Sequence, residues 1–121
     1  MCVSVDVKDI AWVAGLLEGE GNFMSDPRGS LARIKLEMTD EDVVLKAASI
    51  MGAPSVGYRI KSNPEWKPTY VFYLCGAKAA GWMMTLYPFL GKRRRQKIRT
   101  VLCHWANGPV ARYYIRNRGR G

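Results

Sequence analysis

Apolar positions change their spacing several times along this chain, and each change marks an element. Ile10, Val13, Ala14 and Leu17 recur at the intervals of one helix face. Asp6 or Asp9 can cap this helix, which runs to about Gly19, and Gly21 can end it in a left-handed conformation. Asn22-Phe23-Met24 opens an extended segment, and Pro27, Gly29 and Ser30 mark a turn. From Leu31 to Thr39 the spacing drops to two: Ala32, Ile34, Leu36 and Met38 face one way, and Leu31, Arg33, Lys35 and Glu37 the other. This is a strand buried on one side only.

Helical spacing returns with Val43, Val44, Ala47, Ala48, Ile50 and Met51. Thr39 and Asp42 form a capping-box variant at its start, Gly52 closes it, and Pro54 follows. Val56 to Lys61 reads as a short strand, 63–68 as a hairpin-like loop, and Thr69 to Cys75 as an aromatic and β-branched strand. Gly76 breaks it. Ala77 to Tyr87 and Arg93 to Ala106 are two further helices, the first stopped before Pro88. The predicted order is helix, two strands, helix, two strands, then helices: an α+β fold with an αββαββα core, a saddle-shaped antiparallel four-stranded sheet and a C-terminal helix. One helical layer covers one face of four strands. The other face then carries Arg28, Arg33, Lys35, Arg59, Lys61 and Lys67, subject to register, and stays exposed.

A chain of 121 residues is expected to form one domain, with about 112–121 a flexible basic tail. It is 48% hydrophobic, enough for a core without disulfide staples. Cys2, Cys75 and Cys103 follow no zinc or disulfide spacing and read as buried or incidental thiols. No secretory signal and no membrane-length apolar run is present. The expected location is intracellular: the cytoplasm or nucleoid of a prokaryote or phage-infected cell, or an organelle.

Charge sharpens the picture. Residues 1–65 hold seven Lys/Arg and ten Asp/Glu, whereas 66–121 hold twelve Lys/Arg and no acid. The net charge is +9. A basic half that is also rich in core-forming residues points to nucleic acid, where phosphate contacts supply most non-specific affinity. An exposed β-ribbon surface fits the major groove of duplex DNA.

Against this background, Glu18-Gly19-Glu20-Gly21 is out of place. A helix C-terminus carries partial negative charge and disfavours acids there by about 0.3–1 kcal/mol each. Two of them ending a helix suggest that a cation belongs at that point.

Residues 13–21, Val-Ala-Gly-Leu-Leu-Glu-Gly-Glu-Gly, resemble the nine-residue motif that names the LAGLIDADG homing endonucleases. Ala14, Gly15, Leu16 and Gly21 match letter for letter. Val13 and Leu17 are apolar substitutions, and Glu18 and Glu20 stand where the family usually has Asp. The resemblance implies a site-specific double-strand DNA endonuclease with a long, near-palindromic target. In that family two motif helices pack together and their acidic ends meet over the cleavage site. With one motif copy the chain is expected to work as a homodimer, with Val13, Ala14, Leu17 and Glu18 at the interface. Glu20 is then the main metal ligand, with the Gly19 carbonyl second. The metal is Mg²⁺, with Mn²⁺ possible and Ca²⁺ a non-catalytic substitute. Asp40 matches a position that orients a catalytic water. Arg93 stands where the family usually supplies a Lys near the scissile phosphate; an arginine there neutralises charge but cannot act as a base, and Lys92 or Lys97 can replace it. Asn22, Arg28, Arg33, Lys35, Arg59, Lys61, Trp66, Lys67, Lys92, Arg94 and Arg95 are the expected DNA contacts. The alternative on the same scaffold is a catalytically silent DNA-binding regulator or an intron RNA maturase.

Overall fold

The computed structural model describes residues 5–26 and 31–107. The described elements are α1 (Val7–Glu20), β1 (Gly21–Asp26), β2 (Leu31–Met38), α2 (Glu41–Met51), β3 (Gly57–Arg59), β4 (Thr69–Cys75), α3 (Gly76–Leu86), a 3₁₀ turn (Tyr87–Phe89) and α4 (Lys92–Asn107). The four strands form one antiparallel sheet in the order β1-β2-β4-β3. The predicted order of elements therefore holds, and the sheet is antiparallel and half-covered as expected. The turn at 27–30, Arg28 and the basic tail lie outside the described residues.

β2 alternates as its sequence demands. Ala32, Ile34 and Leu36 are fully buried, and Arg33, Lys35 and Glu37 lie on the opposite face. The register stacks Ile34 beside Phe23 and Leu74, and Leu36 beside Phe72. Val13, Ala14 and Leu17 of α1, Ala47 and Met51 of α2, Ala79, Ala80 and Met83 of α3 and Ile98 and Val101 of α4 close over this floor. Each large aliphatic side chain so buried contributes about 1.5–3 kcal/mol.

The helix ends settle several details. Asp6 caps α1, accepting from the Asp9 N–H at 2.8 Å. Gly21 is extended (φ −81°, ψ 156°), not left-handed as expected. Its glycine requirement is space, because a Cβ there would lie 2.7–2.9 Å from Leu17 atoms. The cap of α2 falls on Asp40, whose side chain makes no capping bond, so the Thr39 box does not form. Gly52 ends α2 left-handed at φ 72°, as Gly permits at low cost. α3 then satisfies the exposed carbonyls at that end: Trp82 Nε1 donates to Met51 O at 3.1 Å and Lys78 Nζ to Gly52 O at 2.5 Å. Cys75 and Cys103 are exposed and not buried thiols. No described helix is long and apolar enough to cross a membrane.

Candidate functional site

The two acids that end α1 have different fates. Glu18 is bound to its own chain: its Oε1 accepts from the Gly91 N–H at 3.1 Å, at the start of α4, and Arg94 Nε lies 4.0 Å from Oε2. Arg94 also donates to the Glu18 carbonyl at 3.1 Å and, through Nη1, to the Gly21 carbonyl at 2.6 Å. The exchange is reciprocal. The N-terminus of α4 has spare N–H groups that want an acceptor, and the C-terminus of α1 has spare carbonyls that want a cation. A Cβ at Gly91 would meet the Glu18 carboxylate, so a larger residue there displaces that carboxylate from the Gly91 N–H. These contacts add a structural role to both residues. Glu18 is engaged within its own chain, and Arg94 is a half-buried latch whose guanidinium is tied to the Glu18 and Gly21 carbonyls.

Glu20 is exposed, and among the described residues its carboxylate has no hydrogen-bond or ion-pair partner. The last turn of α1 carries no basic residue to offset it. Two residues further on, Asn22, with Phe23 of β1 and Arg93, Arg94 and Lys97 of α4, lines a cleft of about 200 Å³. Arg93 and Lys97, one helical turn apart, are both exposed. Spacing alone could have paired Lys97 with Arg93, whereas their meeting with Asn22 depends on how α4 crosses β1. Lys92 is exposed at the start of α4. Arg95 is half-buried with its guanidinium 6.0 Å from the Tyr87 ring, outside this cleft.

Asp40 is exposed and makes no capping bond. It follows β2 closely, and Leu36 of β2 pairs with Gly21, so Asp40 and Glu20 leave the sheet at the same end. Among the described residues no three His, Cys, Asp or Glu side chains cluster as a metal site. Glu20 and the Gly19 carbonyl are hard oxygen donors of the type Mg²⁺ prefers, but one chain supplies only part of a coordination shell.

The open face of the sheet carries an organised polar network. Glu37 sits at its centre, its side chain 16% exposed. It accepts from Thr69 Oγ1 at 2.5 Å and from Lys61 Nζ at 2.9 Å, and pairs with Lys35 at 3.1 Å and Arg59 at 3.5 Å. The Thr69 hydroxyl, then Lys61 and Lys35, hold its carboxyl at about 2, well below the ordinary 4.5. Tyr73 is the second organiser: Arg33 stacks 4.4 Å from its ring centre, Lys35 lies 5.9 Å away, and Arg59 donates to its hydroxyl at 3.4 Å. Arg33, Lys35, Arg59 and Lys61 thus come together as expected. Glu37, Thr69 and Tyr73 are the members that sequence reasoning missed. Asn22 is exposed on β1, and Trp66 and Lys67 are exposed in the β3–β4 connection.

The expected dimer seam needs correction. Val13, Ala14 and Leu17 are 0%, 2% and 0% exposed, because they are the face of α1 that roofs the sheet. The outward face is different. Ala11, Trp12, Gly15 and Leu16, with Met38 and Val43, line a shallow apolar groove of about 490 Å³. Gly15 and Gly19 have nothing within 4 Å of where a Cβ would stand. Lys46 stacks on Trp12 at 4.3 Å beside this groove.

No family model matches the chain, and no curated protein does. Solved structures do match. The homing endonuclease I-CvuI with its target in the presence of 2 mM Ca aligns at TM-score 0.54 and 17% identity over 78% of this chain and 66% of that one. The archaeal intron-encoded homing endonuclease I-Vdi141I complexed with DNA aligns at 0.55 and 16% over 75% of this chain and 63% of that one. The group I intron-encoded homing endonuclease I-CeuI complexed with DNA aligns at 0.59 and 14% over 85% of this chain and 56% of that one. The chain therefore spans under two thirds of the length of these proteins. With its half-covered antiparallel sheet and its motif helix running into β1, this chain has the fold of the LAGLIDADG homing endonucleases.

Proposed function

We propose that the chain is a metal-dependent DNA endonuclease that works as a homodimer and cuts both strands of a near-palindromic target. The observation that carries this reading is Glu20: an exposed carboxylate at a helix C-terminus with no partner among the described residues, two residues before the cleft-lining Asn22. An acid in that place is disfavoured by the helix dipole. Two copies meeting through the outward face of α1, at Trp12, Gly15, Leu16 and Gly19, bring two such acids together. Close carboxylates are tolerated when divalent cations lie between them. The absence of a three-ligand cluster among the described residues of one chain fits a site completed by a second copy and by DNA phosphates.

Glu20 and the Gly19 carbonyl would hold the ion, and Mg²⁺ there supplies an activated water and charge stabilisation at the leaving oxygen. This chain's own side chains do the rest. Arg93 and Lys97 bind the scissile phosphate and neutralise charge that builds on it. Asp40 orients water at the open end of the sheet. Arg33, Lys35, Arg59 and Lys61 face the major groove, flanked by Asn22, Trp66 and Lys67. No covalent intermediate with the protein is needed. The DNA complexes formed by proteins of the same fold support the DNA-binding part of this reading, and the 2 mM Ca present with I-CvuI and its target is consistent with a divalent ion at the site.

The test is Glu20→Gln assayed for both binding and cleavage. Retained fold and DNA binding with cleavage lost supports the assignment; nicking at the wild-type rate refutes it. Wild-type binding without cleavage in Mg²⁺ assigns the chain to regulation instead.

A further inference from the structure

The most unexpected group on the open sheet face is an acid. A surface meant only to hold phosphate gains nothing from a carboxylate at its centre, because the carboxylate repels the ligand and neutralises its own lysines. Yet Glu37 is more than a stray charge. Four side chains from three segments converge on it: Lys35 from its own strand, Thr69 from β4, and Arg59 and Lys61 from β3 and the residues after it. Arg59 is tied a second time, to the Tyr73 hydroxyl, and Lys35 also lies against the Tyr73 ring. Long, mobile cations are thereby held in one arrangement. Fixed donors suit base edges, whose pattern differs from pair to pair, whereas mobile cations suit phosphates, which are the same everywhere.

We infer that Glu37 is a specificity-determining positioning residue: it clamps Lys35, Arg59 and Lys61 as fixed donors for base edges and withholds them from non-specific phosphate binding. The inference rests on the DNA-binding reading above. It places the balance between specific and non-specific affinity in a single carboxylate. The depressed proton affinity of Glu37 agrees with a clamp that stays ionised at any working pH.

The consequence is counted in counterions. Each cation newly available to a phosphate adds about 0.9 to the slope of log K against log salt, equivalent to about eightfold in affinity at ~0.1 M monovalent salt. Glu37→Gln keeps the shape and an acceptor for Thr69 but removes the charge that holds the three cations. Binding of a labelled random-sequence duplex is measured across a salt series for wild type, Glu37→Gln and Asp42→Asn. The last makes the same charge change on the helical side. Glu37→Gln is expected to bind this probe about tenfold or more tightly, with a slope steeper by about 1–3, while Asp42→Asn stays near wild type. Sites recovered from a randomised library by Glu37→Gln are expected to be less defined in sequence than those recovered by wild type.

A second pair of variants works even if Glu37→Gln folds poorly. Lys61→Met removes a cation already committed to Glu37 and leaves the slope unchanged. Lys67→Met removes an exposed one with no ion-pair partner among the described residues and lowers the slope by about 0.9. A Glu37→Gln slope parallel to wild type with undiminished site definition overturns the inference, and so does a Lys61→Met loss equal to that of Lys67→Met. If wild type itself fails to bind the duplex, the DNA-binding reading falls, and this inference with it.

Discussion

Replacing Arg94 by Met tests the crossing that holds the candidate site together. The substitution keeps the length and apolar stem of the side chain and removes three interactions. The bond from Nη1 to the Gly21 carbonyl, at 2.6 Å and partly buried, is charge-assisted and contributes about 1.5–2 kcal/mol. The bond from Nε to the Glu18 carbonyl, at 3.1 Å, is open to water and contributes about 0.5–1 kcal/mol. The Glu18 carboxylate at 4.0 Å is half-exposed and adds about 0.5 kcal/mol at most. The expected cost of Arg94→Met is therefore about 2–3.5 kcal/mol, a large share of the ~5–15 kcal/mol that holds a domain of this kind folded. Guanidinium denaturation followed by tryptophan fluorescence reads it as a lower midpoint at unchanged m, and the melting temperature falls by roughly 10 °C. A companion cycle isolates the other half of the crossing. Gly91→Ala drives a methyl into the Glu18 carboxylate, so it destabilises wild type but is nearly neutral in a Glu18→Ala background, with a coupling of at least about 1 kcal/mol. Arg94→Met within 0.5 kcal/mol of wild type, or strict additivity of Gly91→Ala and Glu18→Ala, refutes the latch.

Gly15→Ala fills open space on an exposed helix face, so it is expected to raise monomer stability by about 0.5–1 kcal/mol, while Gly15→Leu abolishes the dimer; sedimentation beside denaturation checks both, and a dimer unaffected by Leu at this position contradicts the seam. The carboxyl of Glu37 is lowered by folding from 4.5 to about 2, so its contribution is complete above about pH 4.5 and is lost as pH falls toward 2. The rim of that network is wet, which limits the contribution to about 1–2 kcal/mol; acid titration of stability for wild type and Glu37→Gln should diverge between those values, and coincident curves refute it.

Sequence periodicity carried the fold well. The alternation of Ala32, Ile34 and Leu36 against Arg33, Lys35 and Glu37 determines which sheet face is covered, and the structure agrees. The acidic end of α1 was equally legible, because two acids at a helix C-terminus break a local electrostatic rule. What stayed hidden depends on long-range approach. Nothing near Glu18 announces that Gly91, 73 residues away, needs its carboxylate. Nothing near Arg94 distinguishes it from Arg93, although both line the cleft and only Arg94 is tied to the Gly21 carbonyl. The seam was misplaced for a related reason. One apolar face of α1 is visible as periodicity, but the helix has two uses for apolar residues, and the sheet took Val13, Ala14 and Leu17 and left Trp12, Gly15 and Leu16 outside. Glu37 read as one residue in an alternation, since only the register with Thr69 and Arg59 makes it a hub.

The central claim is that two copies of this chain cut duplex DNA through paired Glu20 residues and divalent ions. Incubating wild type and Glu20→Gln with a plasmid library of randomised targets, in Mg²⁺ and in EDTA, and sequencing the new ends measures this directly. The account predicts double-strand breaks at near-palindromic sites with wild type in Mg²⁺ only, and none with Glu20→Gln. Breaks that persist in EDTA or with Glu20→Gln, or a wild-type protein that leaves the library intact, would contradict it.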